Sequence, residues 1–339
     1  MLSTDVGIDL GTSTVLVFVR GRGIVVHEPS IVAVDRRSGA VVAIGSQALA
    51  MLGRTPDSIE AVRPLRDGVV ASYEVTLQML LHLLRSVTGP VRWSRPRVVV
   101  CLPSVVTDVE RRAVMEACRA AGAREVLLVS EPMAAALGAD MPVHEVRGQL
   151  IVDVGGGTTD VAVISMGQEV VSDSVRVAGD HMDAAIARHL RRTYGLEVGE
   201  RTAEEVKRTV GTADPDERPA PARSMEVRGR DVVTGLPRSV TVTDRDIAAV
   251  LAEPIGAIIS AIRSVLERTP PELAADIARG GMLLTGGGAL LPGLDRVIER
   301  ETGLACRVAD DPVGCVARGT GKVLETLRRA RPLAPVSLA

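Results

Sequence analysis

Leu150-Ile151-Val152-Asp153-Val154-Gly155-Gly156-Gly157-Thr158-Thr159-Asp160-Val161 is an apolar strand that ends on an aspartate, crosses a glycine turn and leaves as a second apolar strand. The same grammar occurs 144 residues earlier, where Val6-Gly7-Ile8-Asp9-Leu10-Gly11-Thr12 precedes the apolar run Leu16 to Val19. Glycine has no Cβ, so the backbone N–H groups of such a turn can close on phosphate oxygens. Each unit reads as strand, turn, strand. A P-loop would need Gly-Lys-Ser/Thr, and a dinucleotide fingerprint would open a helix; neither pattern is present. Two copies read as two phosphate loops facing one nucleotide.

At 339 residues and 46% hydrophobic, the chain is long enough for two lobes, each with its own core. A net charge of −2 gives no whole-chain basic field, so nucleic acid is not an expected partner. Of 40 basic residues only Lys207 and Lys322 are lysine, and the arginines are scattered instead of clustered. Cys101, Cys118, Cys306 and Cys315 lack metal-ligand spacing and read as free thiols in a reducing compartment. The N-terminus enters a strand almost at once, which leaves no room for a signal peptide. The apolar run Ile247 to Leu266 carries Glu253, Pro254 and Arg263 and reads as too interrupted to span a bilayer. A cytosolic protein with at most peripheral membrane contact is expected.

Periodicity places strands at Val6 to Leu10, Val15 to Val19 and Ile24 to Val26, then a β-rich stretch from Ser30 to Ile44. Helices are expected over Thr76 to Val87 and around Val109 to Ala121, with strands Arg97 to Leu102 and Val126 to Ser130 between and after them. The second half repeats the pattern from Leu150. A short strand over Val170 to Val175 leads to helices Gly179 to Tyr194 and Glu200 to Gly211. A proline-rich stretch, Asp214 to Ala222, reads as a flexible loop. Strands Met225 to Arg228 and Arg238 to Val242, a long helix and the strand Met282 to Leu284 then lead into Gly286-Gly287-Gly288. The alternation is α/β. Matching openings of the two halves argue for a duplication with the ligand between them.

Asp9 and Asp153 end strands at the cleft, where two carboxylates facing a polyphosphate repel it unless a divalent cation lies between. Mg²⁺ is therefore implied, held by these aspartates through water. Each Asp alone is also explained as a turn former. Thr12, Ser13, Thr158 and Thr159 offer hydroxyls to phosphate or to an attacking water, although threonine suits a β-hairpin regardless. Glu131 precedes Pro132 at a helix start, a position the helix dipole alone accounts for. Lying just ahead of the second hairpin, it is equally placed to orient or deprotonate a water. Gly286 to Gly288 allows close backbone approach to a flat or anionic group, or caps a helix. Glu204 and Lys207, three apart on one helix, form an ordinary surface ion pair on spacing alone.

Both hairpins, Glu131-Pro132-Met133-Ala134-Ala135-Ala136 and Leu284-Thr285-Gly286-Gly287-Gly288 resemble the phosphate-1, phosphate-2, connect-1 and adenosine motifs of the actin, Hsp70 and sugar-kinase superfamily. Met51 to Pro56, Ile59 to Gly68, Arg201 to Lys207 and Thr269 to Ile277 resemble the bacterial actin homologues of the MreB/Mbl family, over about Val6 to Leu327. The resemblance implies an actin-like ATPase fold: two lobes of duplicated ribonuclease-H-like topology with the nucleotide cleft between them. The implied boundaries are a first lobe over 1–145 with an inserted subdomain at about 33–66, completed by a C-terminal helix at about 313–330. A second lobe covers 146–312 with an insert at about 181–244, and 331–339 is a tail.

It also implies a slow Mg-dependent ATPase that forms filaments under the cytoplasmic membrane and organises cell-wall synthesis and cell shape. By motif position, Asp9 and Asp153 manage Mg²⁺, and Gly11, Thr12, Ser13, Gly155, Gly156, Gly157 and Thr158 the phosphates. Gly179, Glu204, Lys207, Gly286, Gly287 and Gly288 contact ribose and adenine, and Glu131 with Thr158 positions the water. Partners would be further copies of the chain, the inner membrane face and wall-synthesis proteins. The family's membrane contact by an apolar loop points to Thr88 to Pro96, where Trp93 lies between Arg92 and Arg95 as an interfacial anchor. After Gly11-Thr12 the family usually has Ala-Asn-Thr, whereas this chain has Ser13-Thr14-Val15. Ala178 replaces a usual glycine, and His181 stands where an acidic residue is common. Those departures leave two alternatives: a nucleotide-binding structural paralogue without hydrolysis, and a small-molecule kinase of the same superfamily.

Overall fold

The computed structural model describes residues 5–88, 95–214, 216 and 223–329. Trp93, most of the proline-rich stretch 214–222 and the tail 331–339 lie outside the described residues.

The first half opens with β1 (Val6–Leu10), β2 (Thr14–Val19) and β3 (Gly23–Pro29). A small sheet of β4 (Val32–Asp35), β5 (Val41–Ile44) and β6 (Ile59–Val62) follows, with α1 (Ser46–Met51) inserted. The short hairpin β7 (Leu65–Arg66) and β8 (Val69–Val70) leads to α2 (Tyr73–Thr88), β9 (Arg97–Leu102), α3 (Asp108–Ala120), β10 (Glu125–Ser130) and α4 (Glu131–Gly138). The second half runs β11 (Gln149–Val154), β12 (Thr159–Ser165), β13 (Gln168–Val175), α5 (Gly179–Tyr194), β14 (Leu196–Glu197), α6 (Glu200–Val210), β15 (Ser224–Asp231) and β16 (Pro237–Thr243). It closes with α7 (Asp244–Glu267), α8 (Pro271–Gly280), β17 (Met282–Thr285), α9 (Leu294–Thr302), β18 (Cys306–Val308) and α10 (Cys315–Arg329).

Two five-stranded sheets share one topology. The first has the order β3-β2-β1-β9-β10 and the second β13-β12-β11-β17-β18. In each, three antiparallel strands are extended by two parallel ones. Register carries the duplication to the residue: Leu10 pairs with Val15 and Val154 with Thr159, so both hairpins turn over four residues. Such a hairpin aims the strand-end carboxylates Asp9 and Asp153 at the same relative place in each sheet. β11 and β12 are buried almost throughout, as expected of central strands covered on both faces.

The two sheets meet through a helix pair. α10 packs on β1, β2 and β9, while α4 packs on β11 and β12 and against α10. Their contact is built from small residues. A Cβ on Gly138 would lie 1.8 Å from the Cys315 carbonyl oxygen, and one on Gly319 1.8 Å from that of Ala134. Backbone therefore touches backbone where the halves join.

α7, whose composition suggested a helix too interrupted to cross a membrane, is 24 residues of mean hydropathy 1.6 over its best window, long and apolar enough to do so. Here it is a core helix, with Ile247, Leu251, Ile258, Ile262 and Val265 fully buried against the second sheet's cluster.

Gly319→Ala forces backbone apart at the helix crossing, and a loss of about 2 kcal/mol is expected. Gly256→Ala, in α7 with open space around it, is expected to be neutral or slightly stabilising. Thermal denaturation of both variants checks this; equal midpoints would show that α4 and α10 do not pack so closely.

Candidate nucleotide cleft

The two glycine turns touch. A Cβ on Gly156 would fall 2.0 Å from Ser13 Oγ, and one on Gly157 2.6 Å from Thr12 Oγ1 and 2.9 Å from the Cα of Asp67. Asp67-Gly68 forms the two-residue turn between β7 and β8, both residues at positive φ, as an Asp-Gly hairpin turn requires. Gly68 N–H donates to Thr12 Oγ1 at 3.1 Å, and a Cβ on Gly68 would meet Thr158 Cγ2 at 2.7 Å. This short hairpin thus lies over both turns.

The start of α5 closes the far side. Gly179 N–H donates to the Gly155 carbonyl at 3.2 Å and Asp180 N–H to that of Gly156 at 2.8 Å. Ser13 Oγ donates to Asp180 Oδ1 at 2.7 Å, so the hydroxyl by which this chain departs from the family pattern bridges the first turn to α5. Gly286, at φ +81°, packs on the end of β11, where a Cβ would lie 2.3 Å from the Val154 carbonyl oxygen; Gly288 is equally close to Val154 Cγ1. Gly287 faces open space.

Lys207 and Glu204 do not form the ion pair their spacing suggests. Lys207 Nζ reaches across to Asp183 Oδ2 and to the Gly179 carbonyl oxygen, both at 2.9 Å. Glu204 pairs with Arg208 at 2.7 Å. The physical reason is burial: Asp183 is mostly enclosed and attracts the nearer cation, whereas Glu204 is over a third exposed.

Carboxylates converge at the base. Asp153, 5% exposed, accepts from Thr285 Oγ1 at 2.8 Å. Asp160, fully buried, stands opposite Asp153 in the hairpin register and accepts from Ser104 N–H at 2.9 Å; its Oδ2 has no hydrogen-bond partner. Burial, then the Asp153 charge, pushes Asp9 up to about 8. Burial pushes Asp153 up to about 6 against the Thr285 hydrogen bond. Asp160 rises to about 7, chiefly through burial. Glu131 rises well above the usual carboxylate range through burial, then through the charges of Asp160, Asp9 and Asp153. Four acids share one desolvated space.

Such a cluster calls for a cation. Among the described residues no three His, Cys, Asp or Glu side chains come close enough to form a complete metal cage. The donor set fits Mg²⁺, which keeps most of its water and takes phosphate oxygens, better than an ion that needs an all-protein shell. Asp9 and Asp153 are the carboxylates that would face it.

The cleft thus brings together Asp9, Thr12, Ser13, Gly155, Gly156, Gly157, Thr158 and Asp153, with the Glu131 carboxyl within their field. Gly179 and Lys207 flank it on one side, and Gly286 to Gly288 meet the end of β11. Gly11 turns tightly, a Cβ there meeting the Thr14 carbonyl oxygen at 2.7 Å. Asp67, Gly68, Asp160, Asp180 and Asp183 are the cleft residues that sequence reasoning gave no role. Asp160 was within reach, since a four-residue hairpin turn sets it opposite Asp153; Asp180 and Asp183 depend on contacts between distant elements.

A fold of two such sheets around a phosphate-loop cleft is that of the actin-like ATPases. The model of the MreB/Mbl protein family matches residues 3–332. The cell shape-determining protein MreB of Escherichia coli (strain K12) is 50% identical over 332 residues, 96% of this chain and 95% of that protein. Cell shape-determining protein Mbl of Bacillus subtilis (strain 168) is 47% identical over 327 residues, 96% and 97% of the two chains. The crystal structure of MreB 5 of Spiroplasma citri bound to AMPPNP superposes with a TM-score of 0.92 at 37% identity, covering 97% of this chain and 98% of that one. The chain belongs to the MreB/Mbl family.

The raised carboxyls give the stability a sign with pH. Each of Asp9, Asp153 and Asp160 has a folded pKa above its unfolded value near 3.8, so the folded state holds more protons between the two. Their contribution is full below about 4 and is lost as pH rises through about 6 to 8. The thermal midpoint of the protein without nucleotide is expected to fall between pH 5 and pH 8, and Mg²⁺ with nucleotide to reduce that fall. A midpoint that rises across this range would contradict the shared acid cluster.

Proposed function

We propose that this chain is a filament-forming bacterial actin-like protein that binds ATP with Mg²⁺, hydrolyses it slowly and organises cell-wall synthesis and cell shape beneath the cytoplasmic membrane. The observation that carries the reading is the pair of register-matched hairpins, with Asp9 and Asp153 at their strand ends and glycines that only a bare backbone fits. Nucleotide binding is supported by a structural relative bound to AMPPNP and cell shape by relatives named for it. The two-lobe division, with a break near residue 145, belongs to the same reading.

In this reading Gly11, Thr12, Ser13 and Gly155 to Thr158 hold the phosphates through N–H and hydroxyl groups. Lys207, with Gly179, Glu204 and Gly286 to Gly288, bounds the ribose and adenine. Mg²⁺ when bound neutralises charge on the phosphates and on the acids around them. A water aligned by Thr158 and Glu131 attacks the γ-phosphorus. Its oxygen forms the new P–O bond, the bond to the β–γ bridging oxygen breaks, and ADP leaves with that electron pair while the water proton passes to Glu131. Burial and the neighbouring acids raise Glu131 well above the usual carboxylate range, so its ionised form, once Mg²⁺ offsets those charges, would be a stronger base than an exposed glutamate. Closure around ATP favours assembly, and hydrolysis loosens it. Membrane contact is assigned to Trp93 between Arg92 and Arg95; one such anchor is weak, so filament avidity supplies the rest.

One observation favours a second reading, a nucleotide-binding structural paralogue. The Ser13 hydroxyl is committed to Asp180.

Sedimentation with Mg-ATP, with and without anionic liposomes and with phosphate release followed together, separates the two. ATP-dependent pelleting with phosphate release is expected, and liposome enhancement is expected to be lost in Trp93→Ala. Glu131→Ala is expected to retain nucleotide binding and slow release at least tenfold, about 1.4 kcal/mol. Tight binding without release in the natural chain would establish the paralogue.

A further inference from the structure

Ser130 is the residue before α4, the position where a serine hydroxyl ordinarily caps the helix by accepting a backbone N–H. It makes no such bond. Its Oγ instead donates to Glu169 Oε1 on β13, in the other sheet. The second oxygen, Glu169 Oε2, accepts from Ser104 Oγ at 3.3 Å. Ser104 lies just beyond the end of β9, and its own N–H donates to Asp160 on β12. β9 and β10 are parallel neighbours, with Leu102 opposite Ser130. One half-buried carboxylate therefore takes hold of the ends of two adjacent strands of the first sheet, one oxygen to each.

The place of this clasp gives it meaning. Ser130 is covalently joined to Glu131, whose carboxyl feels the charges of Asp160, Asp9 and Asp153. Ser104 is bonded to Asp160 itself. Motion of β13 relative to β10 would thus carry the first residue of α4 with it, and Glu131 is held to the second sheet by Ser130 as well as by the packing of α4 on β11 and β12. Diverting a helix cap to this purpose gives up a local hydrogen bond for one across the two halves.

We infer that Glu169 is a positioning residue for hydrolysis, fixing Glu131 through Ser130 and Ser104 at the correct distance from the terminal phosphate. The inference rests on the reading of Glu131 as the residue that receives the water proton. Glu169 touches neither nucleotide nor water in this account; it acts through the two serines.

The test is steady-state phosphate release, nucleotide Kd and amide exchange in Glu169→Ala, Glu169→Gln, Ser130→Ala and the Glu169→Ala/Ser130→Ala double variant, beside Glu131→Ala. Glu169→Ala is expected to lower turnover about tenfold with Kd changed less than about twofold. Ser130→Ala should act in the same direction and add little in the double variant, since both remove one interaction. Glu169→Gln, which keeps Oε1 as an acceptor for Ser130, should recover part of the rate. The Ser104 amide should exchange faster in Glu169→Ala. Turnover of Glu169→Ala within twofold of the natural chain, where Glu131→Ala slows it at least tenfold, would overturn the positioning role and leave the hydrolytic reading intact. A parallel loss of turnover, affinity and thermal midpoint would overturn it as well, because Glu169 would then be merely structural. Fully additive losses in the double variant would remove the clasp itself. If Glu131→Ala leaves release untouched, the reading of Glu131 fails and this inference falls with it.

Discussion

Charge crowding at the base of the cleft is the constraint around which the molecule is arranged. Asp9 and Asp153 come to one place because two sheets of the same topology aim equivalent strand ends at each other, and Asp160 and Glu131 add to the same field. Removed from water, such groups repel, and the folded chain keeps protons on them that an unfolded chain would release. Without a counter-charge the cleft is a liability to stability. In the proposed reading, Mg²⁺ and a polyphosphate would supply that counter-charge.

Two features keep that liability local. Glycine at 156, 157, 286 and 288 lets Ser13, Thr12, Asp67 and Val154 close to distances a Cβ would forbid, so the two turns and the end of β11 meet without a gap. The α4 and α10 contact, glycine against carbonyl on both sides, joins the two sheets by direct backbone contact, so that a small rotation of one sheet would be carried to α4, which begins at Glu131. A loosely packed joint would absorb such a rotation without transmitting it.

The parts of the fold that depend on local pattern were legible. β1, β9 and α5 have the limits that periodicity gives, because apolar runs bounded by Gly, Pro or Asp determine them. The short elements were not. α1 and α9 are six and nine residues long, too brief for a helical period to rise above loop composition, and β14 and β18 are strands only because a neighbour supplies hydrogen bonds. α8 begins at Pro271 after Pro270, a pair that reads first as a break although proline suits the opening turn of a helix. In the cleft, the residues named from the hairpins are gathered together, since each hairpin is a contiguous piece of chain. For Lys207 the spacing suggested the wrong partner: its partner lies 24 residues away on α5, and spacing along one helix cannot show that. Asp180 and Glu169 share this cause; their roles exist only between distant elements.

Both hairpins are proposed to hold one Mg-bound nucleotide. Equilibrium binding of a fluorescent ATP analogue, titrated with Mg²⁺ present and then with Mg²⁺ chelated, tests it most directly. One nucleotide per chain, bound at least about tenfold more tightly with Mg²⁺ than without, is the result the charge-crowded cleft predicts. Equal affinity in the two conditions, or no saturable binding, would contradict it.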